Sequence, residues 1–150
     1  MAAAVVNHLG HCVSDLERAK RFYTGVFGFT PWFELSPPDG GSDRLLGLSS
    51  PLDMTASYLR LGDVTLELLA FGARTVHRAD PPRVMDQVGL THLSFAVDDI
   101  DATCAAVVAH GGEVLADTNI KVAVFVRDPD GQLIELLPTS YRANLPPPPA

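Results

Sequence analysis

His8-Leu-Gly-His-Cys-Val-Ser-Asp-Leu-Glu17 returns later in the chain as His92-Leu-Ser-Phe-Ala-Val-Asp-Asp-Ile-Asp101. At a constant offset of 84, His8 meets His92, Leu9 meets Leu93, Val13 meets Val97, Asp15 meets Asp99 and Leu16 meets Ile100. A second match closes each copy. Val64-Thr-Leu-Glu-Leu-Leu69 and Gln132-Leu-Ile-Glu-Leu-Leu137 pair Glu67 with Glu135 at an offset of 68. Such self-similarity marks a supersecondary unit used twice. The difference of 16 between the offsets is an insertion in the first copy. Residues 36–56, rich in Ser, Pro, Gly and Asp, supply it as a surface loop.

The chain therefore divides into one module over about residues 4–72 and another over about 89–138. Residues 73–88 join them, and 139–150 form a Pro-rich tail, with Leu145-Pro-Pro-Pro-Pro-Ala150 as a frayed polyproline segment. A length of 150 residues fits a single domain made of both modules. Each module reads as strand, helix, then three strands. In the first, Val5–Val13 is the strand. Ser14-Asp-Leu-Glu17 has the capping-box form, with Ser at the cap and Glu three residues on. Leu16, Ala19, Phe22, Tyr23, Val26 and Phe27 recur at helical spacing, and Gly25 and Gly28 end the helix. In the second, Leu90–Val97 is the strand and Asp98 the cap. Ile100, Cys104, Val107 and Val108 form the stripe, and Gly111-Gly112 the stop.

The remaining strands fall at about 30–35, 56–61 and 64–70, and at about 113–116, 121–127 and 132–137. Leu61-Gly-Asp-Val64 and Asp128-Pro-Asp-Gly131 are turn sequences that fold the last two strands of each module into a hairpin. The expected fold is α+β: two tandem βαβββ modules forming a cupped sheet around a metal-binding cavity. A single module is marginal by itself, so the two pack together or swap between subunits of a homodimer.

Composition narrows the function classes. The chain is 47% hydrophobic and 19% charged, which suits a globular core and excludes wholesale disorder. No run approaches the roughly 18 apolar residues of a membrane span. No basic flank precedes the short apolar start, so no secretory signal is expected. A net charge of -7 argues against nucleic-acid binding. Cys12 and Cys104 cannot make a disulfide framework and fit a reducing cytoplasm.

Side chains alternate faces along a strand. Leu9, His11 and Val13 share the face that covers the helix, as do Leu93, Phe95 and Val97. His8 and His92 then look the other way, beside small residues. Leu66 and Leu68, and Ile134 and Leu136, take the packed face of the last strands, leaving Glu67 and Glu135 on the open one. Four polar residues at equivalent places between apolar neighbours call for a reason, because a buried carboxylate needs a charge partner or a metal. Two imidazoles and two carboxylates suit one divalent ion, whether zinc, nickel, iron or manganese. The alternative is a satisfied His–Glu ion pair within each half. That the pair occurs twice, at matching positions, favours the metal.

The other polar residues carry less. His11 aligns with Phe95 and is a packing residue. His77 lies in the joining segment, and His110 at a helix C-terminus, where an imidazolium suits the helix dipole. Cys12 is a small filler on the open face, and Cys104 an inert member of the helix stripe.

In these residues the sequence resembles the vicinal oxygen chelate superfamily. That group includes glyoxalase I, methylmalonyl-CoA epimerase, extradiol dioxygenases and the fosfomycin and bleomycin resistance proteins. The carriers are residues 7–23, 66–69, 89–101 and 127–136, so the resemblance spans about 5–138. They are specific for the superfamily and much less so for a reaction. The resemblance puts His8, Glu67, His92 and Glu135 on the four metal-ligand positions, in the order seen in bacterial glyoxalase I. It also makes Glu135 the proton-shuttling base, with Glu67 second. It implies a metal-dependent lyase or isomerase acting on a small α-oxygenated carbonyl compound, either a hemithioacetal or an acyl thioester. An extradiol-type ring-cleaving dioxygenase and a non-enzymatic antibiotic-sequestering protein are the alternatives. Glutathione-using glyoxalases carry an Arg where this chain has Cys12, which argues against a glutathione conjugate. Arg44, Arg60, Arg83 and Arg127 are the candidates to bind an anionic substrate.

Overall fold

The computed structural model of the chain describes residues 4–147. The described residues form two compact units, one ending at His77 and the other starting at Arg78. The first unit runs β1 (Leu9–Cys12), α1 (Leu16–Phe27), β2 (Thr30–Leu35), α2 (Ser42–Leu46), β3 (Met54–Leu61) and β4 (Val64–Phe71). Its four-stranded sheet has the order β1-β4-β3-β2. The second runs β5 (Leu93–Val97), α3 (Ile100–Ala109), β6 (Glu113–Val114), β7 (Val124–Arg127), β8 (Leu133–Pro138) and α4 (Thr139–Ala143), with a 3-10 turn over Ala116–Thr118. Its sheet order is β5-β8-β7-β6, the same topology. The α+β fold from two tandem βαβββ modules is what the repeat implied.

Within each unit the first strand is parallel to the last, and the other neighbours are antiparallel. The helix supplies the crossover that a parallel pair requires. Leu66 and Leu68 are buried, as are Phe22, Tyr23 and Ala19 of α1, which packs on β4. In the second unit Ile134 and Leu136 are buried with Val107 of α3. Leu52, placed by the sequence in a surface insertion, is fully buried, and its N–H is held by the Asp39 carboxylate. The same insertion contains the short helix α2, which its composition did not signal.

Several boundaries differ from the sequence reading. Residues 5–8 and 90–92 are not strand, because pairing with the last strand starts at Leu9 and at Leu93. Both helices are capped one residue later than expected. Asp15, not Ser14, accepts from the Arg18 N–H at 2.9 Å, and Asp99, not Asp98, accepts from the Ala102 N–H at 2.9 Å. Gly28 ends α1 in the left-handed region, while Gly25 lies inside the helix. His110 caps α3, and Val108 is 60% exposed rather than part of the packed stripe. Residues 139–143, read as the start of a tail, form α4; residues 148–150 of the polyproline segment lie outside the described residues.

The hairpin turns are where the sequence put them. Leu61 pairs directly with Val64 around Gly62-Asp63. The buried Asp128 carboxylate accepts from the N–H groups of Asp130 and Gln132, tying down the β7–β8 turn. Among the described residues no helix is long and apolar enough to cross a membrane.

Candidate metal centre

In the first unit the parallel register sets Gly10 of β1 opposite Glu67 of β4, and the antiparallel register sets Tyr58 of β3 opposite Glu67 on its other side. His8 stands just ahead of β1. Its Nε2 lies 3.0 Å from Glu67 Oε2. Its Nδ1 lies 2.7 Å from the Asn7 side-chain oxygen, which can only accept. Nδ1 therefore carries a proton, and Nε2 is the nitrogen turned to the carboxylate. The other carboxylate oxygen, Oε1, accepts a hydrogen bond from the Tyr58 hydroxyl. Burial, then the bond to Glu67, pushes the Tyr58 phenol up to about 12.

The second unit repeats the layout. Ser94 of β5 and Phe125 of β7 flank Glu135 of β8 in register. His92 Nε2 lies 3.7 Å from Glu135 Oε2, and Thr91 Oγ1 lies 2.9 Å from His92 Nδ1. Ser94 donates to Glu135 Oε2 at 2.7 Å. An aromatic ring stands edge-on to each histidine: Tyr58 at 5.8 Å from His8, Phe125 at 5.3 Å from His92.

The four residues singled out by the repeat thus come as two matched pairs, one in each unit. Among the described residues no group of three or more His, Cys, Asp and Glu side chains gathers. The donor chemistry of each pair suits a cation. In the first pair an imidazole nitrogen and a carboxylate oxygen face one another, an arrangement that a shared proton or a shared metal satisfies. Two donors each about 2.1 Å from one ion stand about 3.0 Å apart at a right angle and about 3.4 Å at the tetrahedral angle. The 3.0 and 3.7 Å separations bracket that range.

His11 packs edge-on against Tyr23. Cys12 is exposed and Cys104 half-buried, the latter's thiol pushed up by burial and by Asp101. Each nominated arginine donates to a main-chain carbonyl: Arg44 to Gly40, Arg60 to Gly62, Arg83 to Val88 and Arg127 to Gly131. Sequence reasoning missed Tyr58 and Ser94. Only the strand register identifies them, because it sets each beside a glutamate.

Residues 5–136 match the family model for the Glyoxalase/Bleomycin resistance protein/Dioxygenase superfamily. The chain belongs to this superfamily. Lactoylglutathione lyase of Haemophilus influenzae is 47% identical over 130 residues, covering 83% of this chain and 85% of that protein. The 2-epi-5-epi-valiolone epimerase of an Actinomyces species is 33% identical over 147 residues, covering 90% of this chain and 79% of that protein. Among solved structures, a glyoxalase family protein from Bacillus cereus superposes with a TM-score of 0.74 at 18% identity, covering 91% of this chain and 94% of that one. At that identity the likeness speaks for the superfamily fold alone.

Proposed function

We propose that the chain is a divalent-metal-dependent lyase or isomerase that moves a proton between the carbons of a small α-oxygenated carbonyl substrate, a hemithioacetal or an acyl thioester. The observation that carries this reading is the twofold His–Glu pair, His8 with Glu67 and His92 with Glu135. His8, Glu67, His92 and Glu135 would hold the ion, which would supply a Lewis acid to polarise a carbonyl and stabilise negative charge developing on oxygen. Zinc, nickel, iron and manganese all suit imidazole and carboxylate donors.

The chain's own residues divide the remaining work. Asn7 and Thr91 orient the imidazoles through Nδ1, so that Nε2 serves as the ligand atom in each. Glu135 acts as the base: it takes the proton from one carbon and returns it to the neighbour, so no atom is gained or lost. Glu67 is the second candidate for that role. The lyase and epimerase relatives support the chemistry. Inverting a stereocentre next to a carbonyl also removes and returns a carbon-bound proton. The reading includes a homodimer in the cytoplasm, in keeping with two cysteines that form no disulfide.

The test is turnover of the hemithioacetal formed from methylglyoxal and a small thiol. Activity that is lost in chelator and restored by a divalent ion supports the reading. Activity indifferent to chelator contradicts it.

A further inference from the structure

The two pairs are built alike but not equally constrained. In each, a glutamate on the last strand has an aromatic residue as its antiparallel neighbour: Tyr58 for Glu67 and Phe125 for Glu135. Both rings stand edge-on to the histidine, at interplanar angles of 83° and 85°. The ring is thus common to the two halves, and the hydroxyl belongs to one. Phe33 stacks on Tyr58 at 4.3 Å and 15°, which fixes the plane from which that hydroxyl points.

The consequence falls on the carboxylates. Glu67 is buried, and each of its oxygens is engaged, one with His8 and one with Tyr58. Glu135 is half-buried, and its contacts with Ser94 and His92 are both made by Oε2. Phe125 has nothing to donate to Oε1. A carboxylate held at both oxygens suits a fixed ligand. One held at a single oxygen can turn and present the other to a substrate.

We infer that Tyr58 is a positioning residue, whose hydroxyl locks Glu67 as a fixed metal ligand and leaves Glu135, beside Phe125, as the carboxylate free to move a proton. The inference deepens the proposed function and rests on it.

The experiment titrates the metal-free full chain with Co(II), whose visible bands report its ligands. Tyr58→Phe removes one oxygen and leaves the ring that the other half already accommodates. It should weaken Co(II) binding by about 10–100-fold and shift the bands, as loss of a partner behind a ligand does. A variant that binds Co(II) as the parent does, with the same spectrum, overturns the inference even if its metal-free form melts earlier. In the reciprocal variant, Phe125→Tyr, a hydroxyl is supplied to Glu135. Turnover of the hemithioacetal should fall at least tenfold with Co(II) still bound, and unchanged turnover overturns the inference independently. A parent that takes up no Co(II) overturns both this inference and the proposed function. A parent that binds while Tyr58→Phe is unaltered overturns the inference alone.

Discussion

His8 Nε2 and Glu67 Oε2 face one another across 3.0 Å, with the Nδ1 proton of the same imidazole already committed to Asn7. Neither of the facing atoms can then donate while the imidazole is neutral and the carboxylate ionised. A shared proton or a shared metal ion would satisfy both atoms. A histidine–glutamate pair recurs in the second unit, where His92 Nε2 and Glu135 Oε2 lie 3.7 Å apart.

If Glu135 is the base, Glu135→Gln keeps the shape and a carbonyl oxygen but loses the basic one. Turnover should fall by about 10²–10⁴-fold, the usual contribution of general acid–base catalysis, with the melting temperature close to the parent's. Steady-state kinetics together with a thermal melt checks both halves of the statement.

Asn7→Ala frees the Nδ1 side of His8 while leaving His8 Nε2 and the Glu67 carboxylate in place. Metal affinity should drop by about 10–100-fold, as for other partners behind a ligand. Competition against a chromophoric chelator measures it.

Leu68 is fully buried on the face of β4 opposite Glu67. Leu68→Ala should cost about 2–5 kcal/mol, the range for emptying a packed core position. Denaturant unfolding reads the loss directly.

Lys20 on α1 donates to Glu34 on β2 at 2.7 Å. That hydrogen bond, followed by one from Ser57, holds the Glu34 carboxyl below its ordinary 4.5, and the bonds to Glu34 and Glu17 raise Lys20 above its ordinary 10.5. Glu34 is depressed in the folded state, so its contribution is present above pH 4.5 and fades as pH falls below it. Lys20 is raised, so its contribution is present below pH 10.5 and fades above it. With Glu34 46% exposed, the pair is worth only about 0.2–1 kcal/mol. The melting temperatures of the parent and of Lys20→Met should therefore differ slightly at pH 7, and the difference should shrink as pH falls below 4.5.

Most of the fold was legible because a repeat leaves its mark twice. A single His-Leu-Gly-His stretch says little, but its return as His92-Leu-Ser-Phe fixes the strand–helix unit and its site face together. Strand β2 was read at its observed bounds, Thr30–Leu35. The cap positions were less legible, since Ser14 and Asp15 both offer a capping oxygen and only the backbone turn decides between them. Leu52 escaped because local composition marks a loop, whereas burial depends on where the loop folds back. Tyr58 and Ser94 escaped for a related reason. They lie nine and 41 residues from the glutamates they touch, and cross-strand register brings them there.

The proposed function is tested most sharply by the metal stoichiometry of the purified full chain alongside His8→Ala and His92→Ala. The proposed function predicts one divalent ion per chain, with binding at least tenfold weaker in either variant. Two ions per chain, one lost with each histidine, would contradict it by showing that each pair serves its own ion.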